Sequence, residues 1–400
     1  MIKLAPNKNY DASFNELELK HFSDEKVEQI LTFQKTHPLY NKTPLVNLPN
    51  LAKHLNVRTI QVKDESKRFG LNAFKVLGGI YAIGKYIADR LGKSIEDLSF
   101  QALKSKEVQE ELGPITFISA TDGNHGKGVA WAARELGQKA VIYLPKGSAK
   151  TRLEAVLKEG AEGKITDVNY DATVKLCAEL AEKNGWVLVQ DTAWEGYDKI
   201  PLWIMQGYTT IAYEIFEAWK RKEERPTHIF LQAGVGSFAA AITAYFVRQF
   251  PDDPPKIVVI EPHQANCYYR SFKSPTGNME VVTGDLDSIM AGLCCGAPNV
   301  RAYRILSQYA NAAISCDDTL AALGMRMLGN PLKTDTKIVS GESGAAVGVG
   351  LLHYLRTNEK LDFWKALQLN ENSSILFINT EGATDKENYL NIVWKGKYSK

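Results

Sequence analysis

The sequence lacks an excess of charge of either sign, a cysteine framework and a long hydrophobic segment without interruption. Its 400 residues contain 48 basic and 46 acidic side chains, which gives a formal net charge of +2. A protein that binds nucleic acid or a membrane surface through bulk charge needs a stronger imbalance, so we expect neither partner. The five cysteines lack the C-x-x-C spacing of a zinc site, and a chain of this length needs no disulfides to fold. We therefore expect a cytoplasmic protein.

Membrane targeting is also not indicated. The first twenty residues contain no long apolar core followed by a small-residue cleavage site, so we expect no signal peptide. Residues 229–247 carry no charge and are nearly long enough to span a bilayer. However, Gln232, Gly234, Gly236 and Ser237 interrupt the first half of this segment. We interpret it as a strand, a turn and the start of a helix.

The pattern of apolar residues predicts an α/β fold. The chain is 44% hydrophobic and 24% charged, which excludes wholesale disorder, and its length allows roughly two or three domains. Apolar runs without alternation, separated by helical patterns, are typical of parallel strands that are covered on both faces. The predicted strands are residues 114–119, 140–144, 186–190, 228–232, 256–260 and 374–378. The predicted helices are residues 126–136, residues 150–159 and a segment from the turn at 234–237 to about residue 249.

A glycine-rich turn lies between a predicted strand and a predicted helix. Gly234-Val-Gly-Ser-Phe-Ala239 matches the pattern G-x-G-x-x-A, and Glu261 follows the next predicted strand, as in a dinucleotide site. The pattern is not specific for a dinucleotide, because backbone N–H groups at the start of a helix bind any phosphate. A phosphate monoester therefore fits this turn as well as a pyrophosphate does. A tight strand-to-helix turn without a ligand is the structural alternative.

Lys75 is a candidate nucleophile. It stands between Phe74 and Val76, in an apolar segment with small residues after it. Burial lowers the pKa of a lysine and so supplies the free amine that attacks a carbonyl group. The alternative is a surface lysine at the start of a helix.

Polar residues follow several predicted strands. The segment 119–126 contains Asp122 at the carboxyl end of a strand, which is where open α/β sheets bind ligands. Asp191 follows the strand 186–190, Glu342 lies at the start of a Gly-rich helical segment, and Thr380 follows the last strand. Each of these residues has a structural alternative as a helix cap or a turn residue.

Taken together and in this order, the motifs resemble those of the fold-type II pyridoxal-phosphate enzymes, which include threonine dehydratase, serine racemase and tryptophan synthase β. The resemblance covers roughly residues 40–385. It implies two open, twisted, mostly parallel sheets flanked by helices, in a large and a small domain. The large, cofactor-binding domain would comprise residues 1–75 and 190–400, and the small one residues 76–189. The resemblance also implies a homodimer.

The resemblance also assigns roles to the candidate residues. Lys75 would be joined covalently to the aldehyde of pyridoxal 5'-phosphate, Asn124 would bind its phenolic oxygen, and Thr380 would face its pyridine nitrogen. Glu342 is a further expected cofactor contact. The phosphate would be held by Gly234, Val235, Gly236, Ser237 and Phe238. The substrate would be bound by Ala120, Thr121, Asp122, His125 and Asp191. A nicotinamide enzyme needs neither the lysine nor the Asn-His-Gly segment, which makes that cofactor the more distant alternative.

One residue departs from the pattern of the family. Threonine dehydratases and serine racemases typically carry a serine where this chain has Asp122, and Asp191 adds a second carboxylate. Two extra acids favour a substrate with an extra positive charge, such as a β-ammonium group beside the α-amino group. The segments Thr-Asp-Gly-Asn-His-Gly and Gln-Asp-Thr-Ala-Trp resemble those of family members that act on 2,3-diaminopropionate, which implies this substrate. Asp191 would then hold the β-ammonium or support its departure. We expect elimination to pyruvate and two ammonia, in which Lys75 takes the α-proton of the L isomer and Asp122 that of the D isomer. A serine or threonine dehydratase and an inactive cofactor-binding protein remain alternatives.

Residues 263–300 have no clear pattern beyond that expected for a lid or entrance segment. Cys267 and the Cys294-Cys295 pair lie within it, and a disulfide between them is an open alternative to free thiols.

Overall fold

The chain forms two compact units, each built around its own sheet. The computed structural model describes residues 2–13, 15–121, 123–219, 225–358 and 362–399. The larger unit comprises residues 1–20, 42–67 and 211–400. The smaller unit comprises residues 21–41 and 68–210.

The strands of the described part of the chain are β1 (Ile2–Pro6), β2 (Leu45–Asn47), β3 (Thr59–Asp64), β4 (Thr116–Ala120), β5 (Lys139–Leu144), β6 (Glu162–Ile165), β7 (Val187–Leu188), β8 (His228–Gln232), β9 (Lys256–Pro262), β10 (Ala312–Cys316) and β11 (Ser374–Asn379). In the larger unit they form a seven-stranded sheet in the order β1-β10-β9-β8-β11-β3-β2. Its two edge strands are antiparallel to their neighbours, and the inner strands are parallel. The smaller unit contains a parallel sheet in the order β6-β5-β4-β7.

Helices cover these sheets. In the described residues they are α1 (Glu16–Leu19), α2 (Asp24–Lys35), α3 (Pro49–Leu55), α4 (Val76–Arg90), α5 (Phe100–Leu103), α6 (Lys106–Leu112), α7 (Asn124–Glu135), α8 (Lys150–Leu157), α9 (Tyr170–Asn184), α10 (Lys199–Ala218), α11 (Ser237–Gln249), α12 (Cys267–Lys273), α13 (Val300–Tyr309), α14 (Asp318–Gly329), α15 (Ala345–Thr357), α16 (Phe363–Ala366) and α17 (Lys386–Val393). Strands β8 and β11 are buried along their whole length, as parallel strands between helical layers are.

All the strands predicted from the sequence are present, as β4, β5, β7, β8, β9 and β11, although β7 is shorter than expected. The uncharged segment 229–247 divides into β8, the glycine turn and α11, as its polar residues predicted. Among the described residues, no helix has both the length and the apolar character that crossing a bilayer requires. All five cysteines are free thiols, so the disulfide that the sequence left open is not formed.

The boundaries of the two units differ from those expected from the sequence. Residues 21–41, 68–75 and 190–210 group with the smaller unit, although the sequence assigned them to the large domain. The reason is a set of buried contacts: Gln34 Nε2 donates to the carbonyl oxygens of Leu77, at 3.0 Å, and Gly207, at 3.2 Å, and Thr210 Oγ1 donates to Gln34 Oε1, at 2.7 Å. These hydrogen bonds join segments that are far apart in the sequence, where composition carries no signal.

Candidate active site

A buried ion pair joins the two residues that the sequence singled out most strongly in the smaller unit. Lys75 immediately precedes α4, and its Nζ donates to Asp191 Oδ2 at 2.8 Å. The side chains are only 18% and 5% exposed, which excludes the alternative of a surface lysine. Burial alone would raise the pKa of Asp191, but the nearby Lys75 and His125 outweigh burial and lower this pKa to about 2. Asp191 is therefore an anion at any physiological pH.

Two glycines allow the helix behind Lys75 to approach the helix that carries the Asn-His-Gly segment. A Cβ atom on Gly128 of α7 would lie 2.9 Å from the backbone nitrogen of Val76, and one on Gly79 of α4 would lie 3.1 Å from the Gly128 carbonyl oxygen. Only glycine, which has no Cβ atom, permits this backbone contact. The close contact fixes the start of α4, and with it Lys75, against α7.

His125 lies beside the ion pair. Its Nε2 is 2.9 Å from the carbonyl oxygen of Val189, and because a carbonyl only accepts, Nε2 carries a proton and donates. The other ring nitrogen, Nδ1, is 3.9 Å from Asp191 Oδ2. The imidazole therefore lies next to the Asp191 carboxylate on the side of β7. It helps to stabilise the negative charge of this carboxylate.

The turn between β4 and α7 is held by Thr121. Its Oγ1 accepts hydrogen bonds from the backbone N–H groups of Gly123, at 2.9 Å, and Gly126, at 3.0 Å. The side chain that the sequence suggested as a substrate contact thus stabilises the turn. Asp122, the expected base for the D isomer, lies outside the described residues. Asn124 is the first residue of α7 and is half-buried.

Gln190 joins the turn to Asp191, a role that the sequence did not indicate. Its amide accepts from the backbone nitrogen of Ala120 and from Ser119 Oγ, both at 3.1 Å. It donates to the Ala120 carbonyl oxygen at 3.0 Å and to the Tyr170 hydroxyl at 2.9 Å. A buried amide with all these partners is rigid, so the expected substrate contact Ala120 and the neighbouring Asp191 are held together.

In the larger unit, the glycine turn has the geometry of an anion site. Gly236 has a φ angle of +92° and immediately precedes α11. This left-handed conformation favours glycine, and Gly236 has no side chain that could cap the helix. The turn that includes Gly234 and Val235 therefore presents the start of α11, with Ser237 and Phe238 as its first residues, to an anion.

Residues from the segment 263–300 hold this turn, and the sequence gave no signal for them. Tyr268 Oη donates to the carbonyl oxygen of Val235 at 3.0 Å, and the backbone nitrogen of Asn299 donates to the same oxygen at 2.8 Å. Asn299 Nδ2 also donates to Ser237 Oγ at 2.9 Å. Tyr268 and Asn299 are buried. Part of the expected lid segment is thus the support of the turn.

Glu261 does not have the position of a ribose-binding acid. It lies within β9 and is buried, and its Oε1 and Oε2 accept from the backbone nitrogens of Tyr268, at 2.9 Å, and Tyr269, at 2.7 Å. Burial raises the pKa of Glu261 to about 8. Both carboxylate oxygens of Glu261 are bound inside the protein. The acid that a dinucleotide site uses to bind a ribose is therefore not provided by Glu261.

Thr380 and Glu342 also have defined partners. Thr380 directly follows β11, and its Oγ1 accepts from Gln232 Nε2 at 2.8 Å and donates to the Ser343 carbonyl oxygen at 3.0 Å. Gln232 is two residues before Gly234, so Thr380 is tied to the strand that leads into the turn. Glu342 precedes α15 rather than lying in its first turn, and its Oε1 accepts from Asn388 Nδ2 of α17. Its role as a cofactor contact stays a prediction.

These residues provide the groups that a phosphorylated aldehyde cofactor with a pyridine ring requires. In the smaller unit, Lys75 supplies a partly shielded amine. In the larger unit, the start of α11 suits a phosphate. The Thr380 hydroxyl donates its one proton to the Ser343 carbonyl oxygen, so its contact with a ring nitrogen stays a prediction. Among the described residues, no group of His, Cys, Asp and Glu side chains is arranged to hold a metal ion.

Comparisons with known proteins agree with this chemistry. A model of the family described as pyridoxal-phosphate dependent enzyme matches residues 37–380. The diaminopropionate ammonia-lyase of Salmonella typhimurium is 51% identical over 372 residues, which are 92% of this chain and 92% of that protein. The biosynthetic L-threonine dehydratase of the same organism is 24% identical over 313 residues, which are 78% of this chain and 52% of that protein.

A solved structure is similar over the whole chain. The crystal structure of diaminopropionate ammonia lyase from Escherichia coli in complex with an aminoacrylate-PLP azomethine reaction intermediate has a TM-score of 0.90 to this structure. Its sequence is 45% identical, and the match covers 100% of this chain and 98% of that one.

The family match spans every candidate residue from Lys75 to Thr380. It confirms the predicted fold class and cofactor and favours pyridoxal phosphate over a nicotinamide. The chain belongs to the family of pyridoxal-phosphate-dependent enzymes and has their fold-type II architecture.

Proposed function

We propose that the chain is a diaminopropionate ammonia-lyase, which converts 2,3-diaminopropionate and water to pyruvate and two ammonia. The observation that carries this proposal is the buried carboxylate of Asp191, 2.8 Å from the amine of Lys75. The identity of 51% to the Salmonella typhimurium enzyme supports it, against 24% to a threonine dehydratase. The segments Thr-Asp-Gly-Asn-His-Gly and Gln-Asp-Thr-Ala-Trp point to the same enzyme.

The charge of Asp191 explains the choice of substrate. With the Lys75 amine joined to the cofactor, Asp191 would lack the ammonium that now neutralises it. An uncompensated buried carboxylate is costly, so the site favours a ligand that brings a cation. The β-ammonium of 2,3-diaminopropionate is such a cation, whereas the hydroxyl of serine or threonine is not. Asp191 thus binds and orients the group that leaves.

Proton transfer is assigned to two residues. Pyridoxal phosphate supplies the electron sink that stabilises negative charge at the α-carbon. Lys75 Nζ takes the α-proton of the L isomer, and the carboxylate of Asp122 takes that of the D isomer from the opposite face. His125 keeps Asp191 oriented through the contact of 3.9 Å between Nδ1 and Oδ2.

The substrate assignment predicts a preference that steady-state kinetics can measure. Pyruvate release should have a kcat/KM about 10²-fold higher for 2,3-diaminopropionate than for serine, because only the former pairs a cation with Asp191. Both isomers of 2,3-diaminopropionate should be substrates. Faster turnover of serine or threonine would instead identify a dehydratase, and no turnover of any of them would identify an inactive cofactor-binding protein.

Replacing Asp122 by asparagine separates the two isomers. Asp122→Asn should lower turnover of D-2,3-diaminopropionate by about 10²–10⁴-fold and leave that of the L isomer within a few-fold, because the amide cannot accept the α-proton. The L isomer serves as the internal control for folding and cofactor content. Loss of L-isomer activity with retention of D-isomer activity would show that the faces are assigned the wrong way round.

We also propose a homodimer and a cytoplasmic location. The resemblance to the family supports the first, and the five free thiols support the second.

A further inference from the structure

The carbonyl group of Val235 is fixed from two sides. Tyr268 Oη donates to it at 3.0 Å and the backbone nitrogen of Asn299 at 2.8 Å, so both acceptor positions of the oxygen are in use. In a planar trans peptide, the C=O of one residue and the N–H of the next point in opposite directions. Fixing the Val235 carbonyl toward Tyr268 therefore aims the Gly236 N–H away from Tyr268.

The ring of Tyr268 also sets the shape of the turn. A Cβ atom on Gly236 would lie 2.0 Å from the Tyr268 hydroxyl oxygen and 2.6 Å from the ring carbon that bears it. Gly236 is thus in direct contact with this side chain, with a φ angle of +92° that few other residues adopt. The aromatic ring closes one side of the turn and leaves the start of α11 as its polar side.

Tyr268 is itself held in place. The two carboxyl oxygens of Glu261 accept from the backbone nitrogens of Tyr268 and Tyr269, at 2.9 and 2.7 Å. Tyr268 is fully buried, and its ring packs against Phe272 at 6.3 Å between centroids. A continuous set of contacts therefore runs from β9 through Glu261 and Tyr268 to the turn after β8.

We propose that Tyr268 is a positioning residue for the cofactor's phosphate, and that Glu261 anchors it. The contact of Tyr268 with the turn directs the backbone N–H groups of residues 236–238 toward the anion. This inference rests on the proposed phosphate role of the turn and is independent of the substrate. A tyrosine that only filled the core would affect stability but would not discriminate between cofactors with and without a phosphate.

The test compares pyridoxal 5'-phosphate with pyridoxal, which lacks the phosphate, in binding titrations with the apo-protein. Tyr268→Phe removes only the hydroxyl, and we expect about tenfold weaker binding of pyridoxal 5'-phosphate with unchanged binding of pyridoxal. The ³¹P resonance of the bound cofactor should also shift, because the N–H groups around the phosphate reorient. Neither measurement depends on catalysis.

Tyr309→Phe is the matched control. Tyr309 Oη donates to the Ser13 carbonyl oxygen at 3.3 Å, so this variant also loses a tyrosine-to-carbonyl hydrogen bond in the larger unit, but one to the segment before α1. It should bind both compounds as the unmodified protein does. If Tyr268→Phe weakens both compounds equally, or neither, Tyr268 does not position the phosphate.

Gly236→Ala separates this inference from the assignment of the phosphate site. An alanine there is strained by its φ angle and by contact with Tyr268, so binding of pyridoxal 5'-phosphate should fall by more than in Tyr268→Phe. Retained binding of pyridoxal shows that the variant is folded. If Gly236→Ala keeps its affinity for pyridoxal 5'-phosphate, the turn is not the phosphate site and the inference falls with it. If only Gly236→Ala loses affinity, the phosphate site stands and the role of Tyr268 is wrong.

Discussion

Replacing Lys75 by alanine should lower pyruvate release from 2,3-diaminopropionate by on the order of 10⁴-fold or more. The variant loses the amine that we propose attaches the cofactor and, for the L isomer, the proposed base for the α-proton. Steady-state pyruvate release with both isomers measures the loss. Borohydride reduction followed by peptide mass analysis should find the cofactor on Lys75 in the unmodified protein and on no peptide of the variant.

Lys85→Ala is the control for this variant. Lys85 lies in the helix that Lys75 precedes and also pairs with an aspartate, with 2.7 Å between its Nζ and Asp89 Oδ1. This pair is more exposed, so its loss should affect stability by less than about 1 kcal/mol and leave the kinetics unchanged. A Lys75→Ala protein that kept substantial activity, or a borohydride label on another lysine, would overturn the assignment of the cofactor lysine.

Replacing Asp191 by asparagine should change the preference between substrates. Asparagine has nearly the same shape but no charge, so the β-ammonium of 2,3-diaminopropionate loses its partner. We expect kcat/KM for this substrate to fall by about 10²–10³-fold, because one partner of a buried charge pair is removed. The value for serine should fall much less, because its hydroxyl does not need the anion. The ratio of the two values is the decisive measurement.

An exposed aspartate of the smaller unit provides the comparison. Asp167→Asn removes the same charge at an exposed position, and both kcat/KM values should stay unchanged. If Asp191→Asn lowered both substrates equally, Asp191 would act on a step that they share and would not recognise the β-ammonium.

Local sequence was enough to predict the architecture. Runs such as residues 228–232 and 374–378 are largely apolar without alternation, because parallel strands between helical layers are buried on both faces. In the structure these runs form β8 and β11. Five of the described strands were not predicted, namely β1, β2, β3, β6 and β10. Two of them are short or exposed: β2 (Leu45–Asn47) has three residues, and half of β6 (Glu162–Ile165) is exposed. Such strands bury too little apolar surface to leave a pattern in the sequence, whereas β3 and β10 are buried and were missed despite that.

The motifs of the site were also readable, because each one is a short segment with its own chemistry. Lys75 in its apolar segment, the glycine turn and the residues around His125 depend on neighbours within a few positions. Their order along the chain then identified the family. A short motif does not report which polar side chains become buried on folding. The motifs therefore could not show which polar residues are structural.

The sequence by itself determined the fold class, the glycine turn and the family, since these depend on residue type and on spacing within short segments. Only the tertiary structure decided that Gln190 holds Ala120, that Tyr268 and Asn299 hold the turn, and that Glu261 faces a helix start rather than a ligand. These contacts join residues that are distant along the chain. Their partners are chosen by burial, because each polar group that leaves water must find a hydrogen bond inside the protein.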